Sequence, residues 1–303
     1  MMRTGVVIAA SIFAVSLTAS EYPDTGVAVS VPVTVQTQAS GPARSLSADN
    51  ILVSQDKQHR QIVSLAPLDR SAGVQLWILL DDGLTRSFGT QLADIRQFVL
   101  AQPASTQIGI GYISNGRVIK VQSLTADHQA AVRALRLPAG PAGIAADPYT
   151  AMKDLIRKWP SAPAREILFI STGFDPIYGP GPEDPYLDNA IQTAQRANVV
   201  VYAMFYPGMG PWGHSGRQAF WGQYDLAKIT EATGGELYWI GNQAPVSLTP
   251  YFNDLARNLN GQYLLTFLAT PKDKAGLQRV NIKSELPHVK LSAPSQVYVP
   301  AVQ

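Results

Sequence analysis

The stretch VQLWILLDDGLTRS, Val74 to Ser87, runs apolar until it breaks on two carboxylates, a glycine and a threonine. A strand that is apolar on both faces calls for a sheet covered on both sides. The same pattern recurs downstream in QIGIGYI, REILFIS, VVVYAMF and ELYWI, and segments of helical period lie between these runs. Leu92, Ile95, Phe98 and Val99 form one stripe, with Thr90 placed to cap it. Met152, Leu155, Ile156 and Trp159 form another behind Asp147-Pro148. Leu187, Ala190, Ile191 and Ala194 continue the series, and Leu226 and Ile229 lead into a Gly234-Gly235 stop. Thr249-Pro250 opens a last helix with Phe252, Leu255 and Leu259. This alternation predicts an α/β fold, a doubly wound Rossmann-like sheet with helices on both faces, over residues 74–260. One hairpin interrupts it: in YISNGRVIKV, Asn115-Gly116 carries the type I′ signature.

The flanks read differently. Residues 21–73 contain alternating apolar and polar runs (VAVSVPVTVQTQ, NILVSQDKQHRQIVSL), the pattern of half-buried antiparallel strands, with Pro32 marking an edge or a bulge. Residues 261–303 return to short alternating strands, so the two termini are expected to pair as a small antiparallel β module outside the central sheet. Residues 1–20 read as a secretory signal: one Arg, an apolar run from Gly5 to Leu17, then small residues that place cleavage near Ala19 or Ser20. The run falls short of the ~20 residues a spanning helix needs, so an exported protein without stable membrane insertion is expected, periplasmic or extracellular. An uncleaved N-terminal anchor is the alternative.

The 303-residue chain is 46% apolar with a net charge of +2, and its basic residues form no long run, so nucleic acid is not an expected partner. With no Cys, thiol nucleophiles and thiolate metal sites are excluded. His59, His128, His214 and His288 are scattered without metal-ligand spacing, His128 on a polar helix face and His288 at a strand edge. No nucleophile elbow or phosphate-binding glycine loop occurs.

Ligands of open parallel sheets collect at the carboxyl ends of the strands. Asp81, Asp82, Gly83, Thr85 and Ser87 follow the first apolar run, Asp147 and Thr150 stand at a helix start, and Ser171, Thr172, Gly173 and Asp175 follow REILFI. Carboxylates and hydroxyls from three loops suit a hard cation such as Mg²⁺, which takes about six oxygen ligands. The same residue types also cap helices and close turns, and chemistry alone leaves both readings open.

Several segments together resemble the von Willebrand factor A-type domains, and within them the exported bacterial VWFA-related proteins abundant in acidobacteria. They are LWILLDDGLTRSFGTQLADIRQFV, YTAMKDLI, REILFISTGFDP, AIQTAQRANVVVYAMFY, GHSGRQAFWGQYDLAKITEATGGELYWIG and PVSLTPYFNDLARNLNGQYLLTFLA, with a closing strand region. The resemblance implies a non-catalytic protein-interaction or adhesion module with an unidentified protein ligand. It also implies a metal-ion-dependent adhesion site: D-x-S-x-S after the first strand, a Thr in a later loop and an Asp after a further strand. Carried over, Asp81 fits the first Asp, Gly83 replaces the first Ser, Thr85 stands for the second, Thr150 fits the loop Thr, and Thr172 occupies the place of the final Asp. The site is therefore degenerate unless Asp82 or Asp175 swings in, and no metal, or weakly held Mg²⁺ or Mn²⁺ on Asp81, Thr85 and Thr150, is expected.

An enzyme reading competes with this one. Asp81 with Thr85 four positions on, and a later strand ending in Ser-Thr, also resembles the haloacid-dehalogenase phosphohydrolases, with Asp81 as nucleophile. That family's second Asp, the general acid and base, falls on Gly83. The expected contact surface thus carries Asp81, Asp82, Thr85, Thr150, Thr172 and Asp175, flanked by a long loop from Pro207 to Tyr224. In that loop Trp212, Phe220, Trp221 and Tyr224 either present an aromatic anchor or fold back as a satellite core.

Overall fold

The structure is a computed structural model, and it describes residues 26–37, 46–70, 73–140, 147–208, 216–241 and 243–301. The signal sequence and Trp212 lie outside the described residues. No helix among the described residues is long and apolar enough to cross a membrane.

At the centre is a six-stranded sheet. Its strands in chain order are β5 (Gln75–Asp81), β6 (Gln107–Ser114), β7 (Arg117–Thr125), β8 (Arg165–Ser171), β9 (Val199–Phe205) and β10 (Leu237–Trp239). Across the sheet they run β10-β9-β8-β5-β6-β7, all parallel except β7, which returns antiparallel to β6. The hairpin turn is the one the sequence predicts: Asn115 and Gly116 both adopt positive φ, 50° and 68°, between the paired residues Ser114 and Arg117.

Among the described residues, six α-helices accompany the strands: α1 (Leu92–Leu100), α2 (His128–Ala134), α3 (Pro148–Arg157), α4 (Pro185–Arg196), α5 (Gly216–Thr233) and α6 (Thr249–Asn260). Because successive strand residues point to opposite faces, β5 splits its apolar run between two cores. Leu76, Ile78 and Leu80 pack with α1 and α6, where Phe98 and Phe252 stack at 4.7 Å. Trp77 and Leu79 pack with α3, α4 and α5 through Met152, Leu187, Ile191 and Ile229. The doubly wound α/β expectation holds, and β5 sits where successive crossovers turn to opposite sides of the sheet.

The terminal segments form two four-stranded antiparallel sheets. One has the order β13-β1-β11-β4, from β1 (Val27–Thr37), β4 (Ile62–Pro67), β11 (Gln262–Ala269) and β13 (Val289–Ser292). The other has the order β14-β12-β2-β3, from β2 (Ile51–Gln55), β3 (Gln58–His59), β12 (Gly276–Ser284) and β14 (Gln296–Val299). Val31, Val33, Leu265 and Phe267 of the first meet Val53, Ile282 and Val297 of the second in a core of their own. Pro32 is tolerated because β13 covers β1 only from Thr34 onward, leaving Pro32 paired on the β11 side alone.

Three local expectations change. Thr90 does not cap α1: a 3-10 turn over Arg86–Gln91 precedes the helix, and the Thr90 hydroxyl donates back to the Ser87 carbonyl. The stretch after β9 is not loop as far as Tyr224, since α5 already begins at Gly216. His288 lies between β12 and β13 with φ 65°, in a turn rather than in a strand.

Candidate functional site

The loops at the carboxyl ends of β5, β8 and β9 are tied together by backbone. The Thr85 N–H donates to the Gly208 carbonyl (3.2 Å), and the Tyr206 N–H donates to the Ser171 carbonyl (2.9 Å). Helix α5 approaches this end backbone to backbone. A Cβ on Gly222 would lie 2.1 Å from the Thr172 carbonyl oxygen, and one on Gly173, whose φ is +70°, would lie 2.3 Å from the Gly222 carbonyl oxygen. Glycine at both positions is what lets the helix close over the β8 turn.

Asp81 is fully buried at the tip of β5. One carboxylate oxygen accepts the Gly83 N–H (2.8 Å), and the other accepts the Ser171 hydroxyl (2.9 Å), which itself accepts the Gly173 N–H. Burial pushes this carboxyl up to about 6, the Gly83 and Ser171 hydrogen bonds opposing and neighbouring Asp82 adding to the rise. Asp82 faces elsewhere. Arg136 grips both its oxygens, at 2.7 and 2.9 Å, and the Ala139 N–H donates to it at 2.8 Å. The Arg136 guanidinium also lies 3.8 Å above the Tyr112 ring, whose hydroxyl exchanges hydrogen bonds with the Arg136 backbone. Asp82 is therefore a clamp on the 136–140 segment and does not swing toward Asp81.

Asp175 likewise turns into its own loop, accepting the Ile177 N–H at 2.8 Å, while its Oδ2 is buried without a hydrogen-bond partner. Burial pushes it up to about 6, opposed by the loop N–H groups and reinforced by Asp147 and Asp184. Thr85 shares a hydrogen bond with Ser87 (2.8 Å). Thr150 stands in the first turn of α3, its N–H donating to the capping Asp147 and its hydroxyl buried without a partner. Thr172 is buried beside a cavity of about 350 Å³ with Phe174, Phe205, Pro207, Phe220 and Gln223 in its walls. Trp221 is half-buried on α5, in edge contact with both Phe220 (5.2 Å) and Tyr224 (5.4 Å).

These residues do not fit a divalent cation. Of the adhesion-site positions only Asp81 supplies a carboxylate, and both its oxygens are already engaged by a hydroxyl and an N–H. Gly83 brings no hydroxyl, and Thr172 brings no charge. Without a second carboxylate the Coulomb attraction that offsets cation dehydration is lacking. Among the described residues no cluster of three or more His, Cys, Asp or Glu is placed to hold a metal ion.

The sequence does not mark two of the important groups. Ser171 stands among the strand-end residues, but that its hydroxyl is the partner of Asp81 follows from β8 being the neighbour of β5. Arg136 lies 54 residues from Asp82, in a segment without any motif, and only the fold brings them together.

Fold and site together define a doubly wound α/β domain with a largely uncharged, hydroxyl-bearing cavity at the carboxyl ends of its strands and a β module built from its termini. No protein-family model matches the chain, and no curated protein does. The fold is structurally similar to VWA-domain proteins. An aerotolerance-related membrane protein from Bacteroides fragilis is 12% identical with TM-score 0.47, over 62% of this chain and 99% of that one. The SpRpn10 VWA domain is 15% identical with TM-score 0.40, over 62% of this chain and 96% of that one. The human COPII-coat protein Sec24c is 8% identical with TM-score 0.43, over 76% of this chain and 44% of that one.

Proposed function

We propose that the chain is an exported, non-catalytic protein-interaction module that receives a protein partner at the carboxyl end of its central sheet without a resident metal ion. The observation that carries this reading is the 350 Å³ cavity walled by Thr172, Phe174, Phe220 and Gln223. It has the composition of a recognition pocket: apolar walls with a few polar groups that fix orientation. Its rim is aromatic, Phe220 being 59% exposed, and exposed aromatic side chains are the usual anchors of protein contacts. The opposite end of the sheet is occupied by the chain's own β module, where the Tyr202 hydroxyl meets Thr34 and Gln262. Among the described residues, no strand of the β module reaches the strand-end face.

The buried Asp81 supports the non-catalytic part. A nucleophilic carboxylate has to reach a phosphorus atom in line, whereas Asp81 is fully buried and each of its oxygens already accepts a hydrogen bond from inside the protein. The family resemblance in sequence supports the interaction role.

The test is capture of a partner from the envelope fraction of the native host on the immobilised full chain, with and without EDTA. A specific partner retained in EDTA, lost in Gln223→Trp, which roofs the cavity, and kept in Lys283→Ala on the distant strand β12 is the expected result. Loss in EDTA would overturn the metal-free reading. Turnover of p-nitrophenyl phosphate that vanishes in Asp81→Asn would establish the phosphohydrolase in its place.

A further inference from the structure

Three elements close around the cavity at the carboxyl end of the sheet. Phe205 comes from the end of β9, Thr172 and Phe174 from the loop after β8, and Phe220 and Gln223 from α5, around one space of about 350 Å³. The lining grades from inside to outside. Phe205, Thr172 and Phe174 are buried, Gln223 is half-buried, and Phe220 is 59% exposed. Gly222, next to Gln223, meets the Thr172 carbonyl without a Cβ, and this contact fixes α5 against the β8 turn across the cavity.

The lining is uncharged: among the described residues it contains no Asp, Glu, Lys, Arg or His. A guanidinium, ammonium or carboxylate placed there would give up water without meeting a counter-ion, and an unpaired buried charge is costly. The side chains that most often anchor protein contacts are Trp, Tyr and Arg, and this removes Arg. Gln223 disfavours a purely hydrocarbon ring. It lines the cavity and, among the described residues, its amide makes no hydrogen bond, so an entering hydrocarbon would strip water from the amide and return nothing. A primary amide presents an acceptor oxygen beside two N–H donors. A phenol hydroxyl both donates and accepts and so serves either atom, whereas an indole N–H only donates.

We infer that the cavity receives the side chain of a tyrosine on the partner protein, its ring packed among Phe174, Phe205 and Phe220 and its hydroxyl hydrogen-bonded to the Gln223 amide. Aromatic rings favour edge-to-face and offset contacts with one another, and the three phenylalanines offer them from three elements. The same polar pairing exists within the fold, where the Tyr202 hydroxyl meets the Gln262 amide at 3.0 Å. The inference names the side chain by which the partner proposed above is held, and it rests on that reading.

The probes are the N-acetyl amides of tyrosine, phenylalanine, tryptophan and arginine, titrated into the ¹⁵N-labelled full chain and followed by amide chemical shifts. They share one backbone, and the first two differ by the hydroxyl alone. The tyrosine amide is expected to bind saturably, roughly 5-fold more tightly than the phenylalanine amide, as one net hydrogen bond allows. The tryptophan amide should be weaker than the tyrosine amide, and the arginine amide should not bind.

Gln223→Leu should remove the preference for tyrosine over phenylalanine while leaving phenylalanine-amide binding in place, which itself reports an intact cavity. Phe220→Ala, at an exposed position that folding does not depend on, should weaken both amides alike, and Gln223→Trp should abolish both. No saturable binding of the tyrosine amide overturns the inference. So does equal affinity for the tyrosine and phenylalanine amides in the wild type, or a preference that survives Gln223→Leu. Envelope capture sensitive to Gln223→Trp without any tyrosine-amide binding would leave the module reading standing and remove the tyrosine alone. Tyrosine-selective binding that depends on Gln223, with no envelope capture, would do the reverse.

Discussion

The residue that decides the chemistry is Asp81. A carboxyl held at about 6 in the native state, against roughly 3.9 in an unfolded chain, is one whose ionisation opposes folding. Its folded value is raised, so the stability attached to its protonated form is fully present below about pH 4 and is lost as pH rises through 6. Two units correspond to about 2–3 kcal/mol at neutral pH. Asp81→Asn removes the ionisation while its amide keeps an oxygen for the Gly83 N–H and an NH₂ for the Ser171 hydroxyl. Its melting temperature should therefore exceed that of the wild type at pH 7.5 and match it near pH 3.5. Equal melting temperatures at pH 7.5, or a lower one in the variant, would show that the charged carboxylate is wanted, as in a cation site. Sequence alone leaves this undecided because the strand-end position fits both a ligand and a satisfied buried acid. The answer depends on a hydroxyl arriving from β8.

At the scale of elements, most of the architecture is legible in the sequence because periodicity and burial agree. The apolar stretch of β5 is buried on both faces, and Asp147-Pro148 and Asn115-Gly116 act through local stereochemistry that the sequence states outright. What is not legible depends on contacts between distant elements. Nothing local distinguishes Thr90 from a cap, yet the 3-10 turn ahead of α1 lets Leu84 and Phe88 enter the core. The sequence GRQAFWGQY has the glycines of a loop, yet Gly222 is there because α5 must touch the β8 turn. Gly222→Ala measures that contact. Its Cβ would meet the Thr172 carbonyl at 2.1 Å, which no side-chain adjustment relieves, so α5 has to shift. Overpacking of this kind costs about 1–3 kcal/mol. The variant is expected to lose that stability in urea titrations and also to bind the captured partner more weakly, because Phe220 and Gln223 move with the helix. An unchanged denaturation midpoint would mean that α5 is not seated on the turn.

On the scale of the whole molecule, the β module is bonded to the amino end of the central sheet by a buried polar seam. The Tyr202 hydroxyl on β9 meets Thr34 of β1 (3.3 Å) and Gln262 of β11 (3.0 Å). The Glu236 carboxylate before β10 takes donors from Gln36 of β1 and from Asn258 of α6, and the Asn198 amide donates to the Ser30 carbonyl. Strand β1 is therefore both an inner strand of the terminal sheet, between β11 and β13, and the surface on which the α/β domain rests. Such an arrangement couples the two cores, and the full chain should unfold in urea in a single transition, with tryptophan fluorescence and far-UV circular dichroism coincident. The seam is the element to weaken. Tyr202→Phe leaves the Thr34 hydroxyl and the Gln262 amide, both buried, without this partner at a cost of about 1–3 kcal/mol. Because that cost falls between the cores and not within either, the transitions reported by the two probes should separate in Tyr202→Phe while remaining coincident in Lys283→Ala. Trp77 and Trp159 lie in the α/β core and, among the described residues, the β-module core contains no tryptophan, so fluorescence follows the α/β domain and circular dichroism follows both. Coincident transitions in Tyr202→Phe, with a midpoint merely lowered, would show that other contacts across the seam carry the coupling.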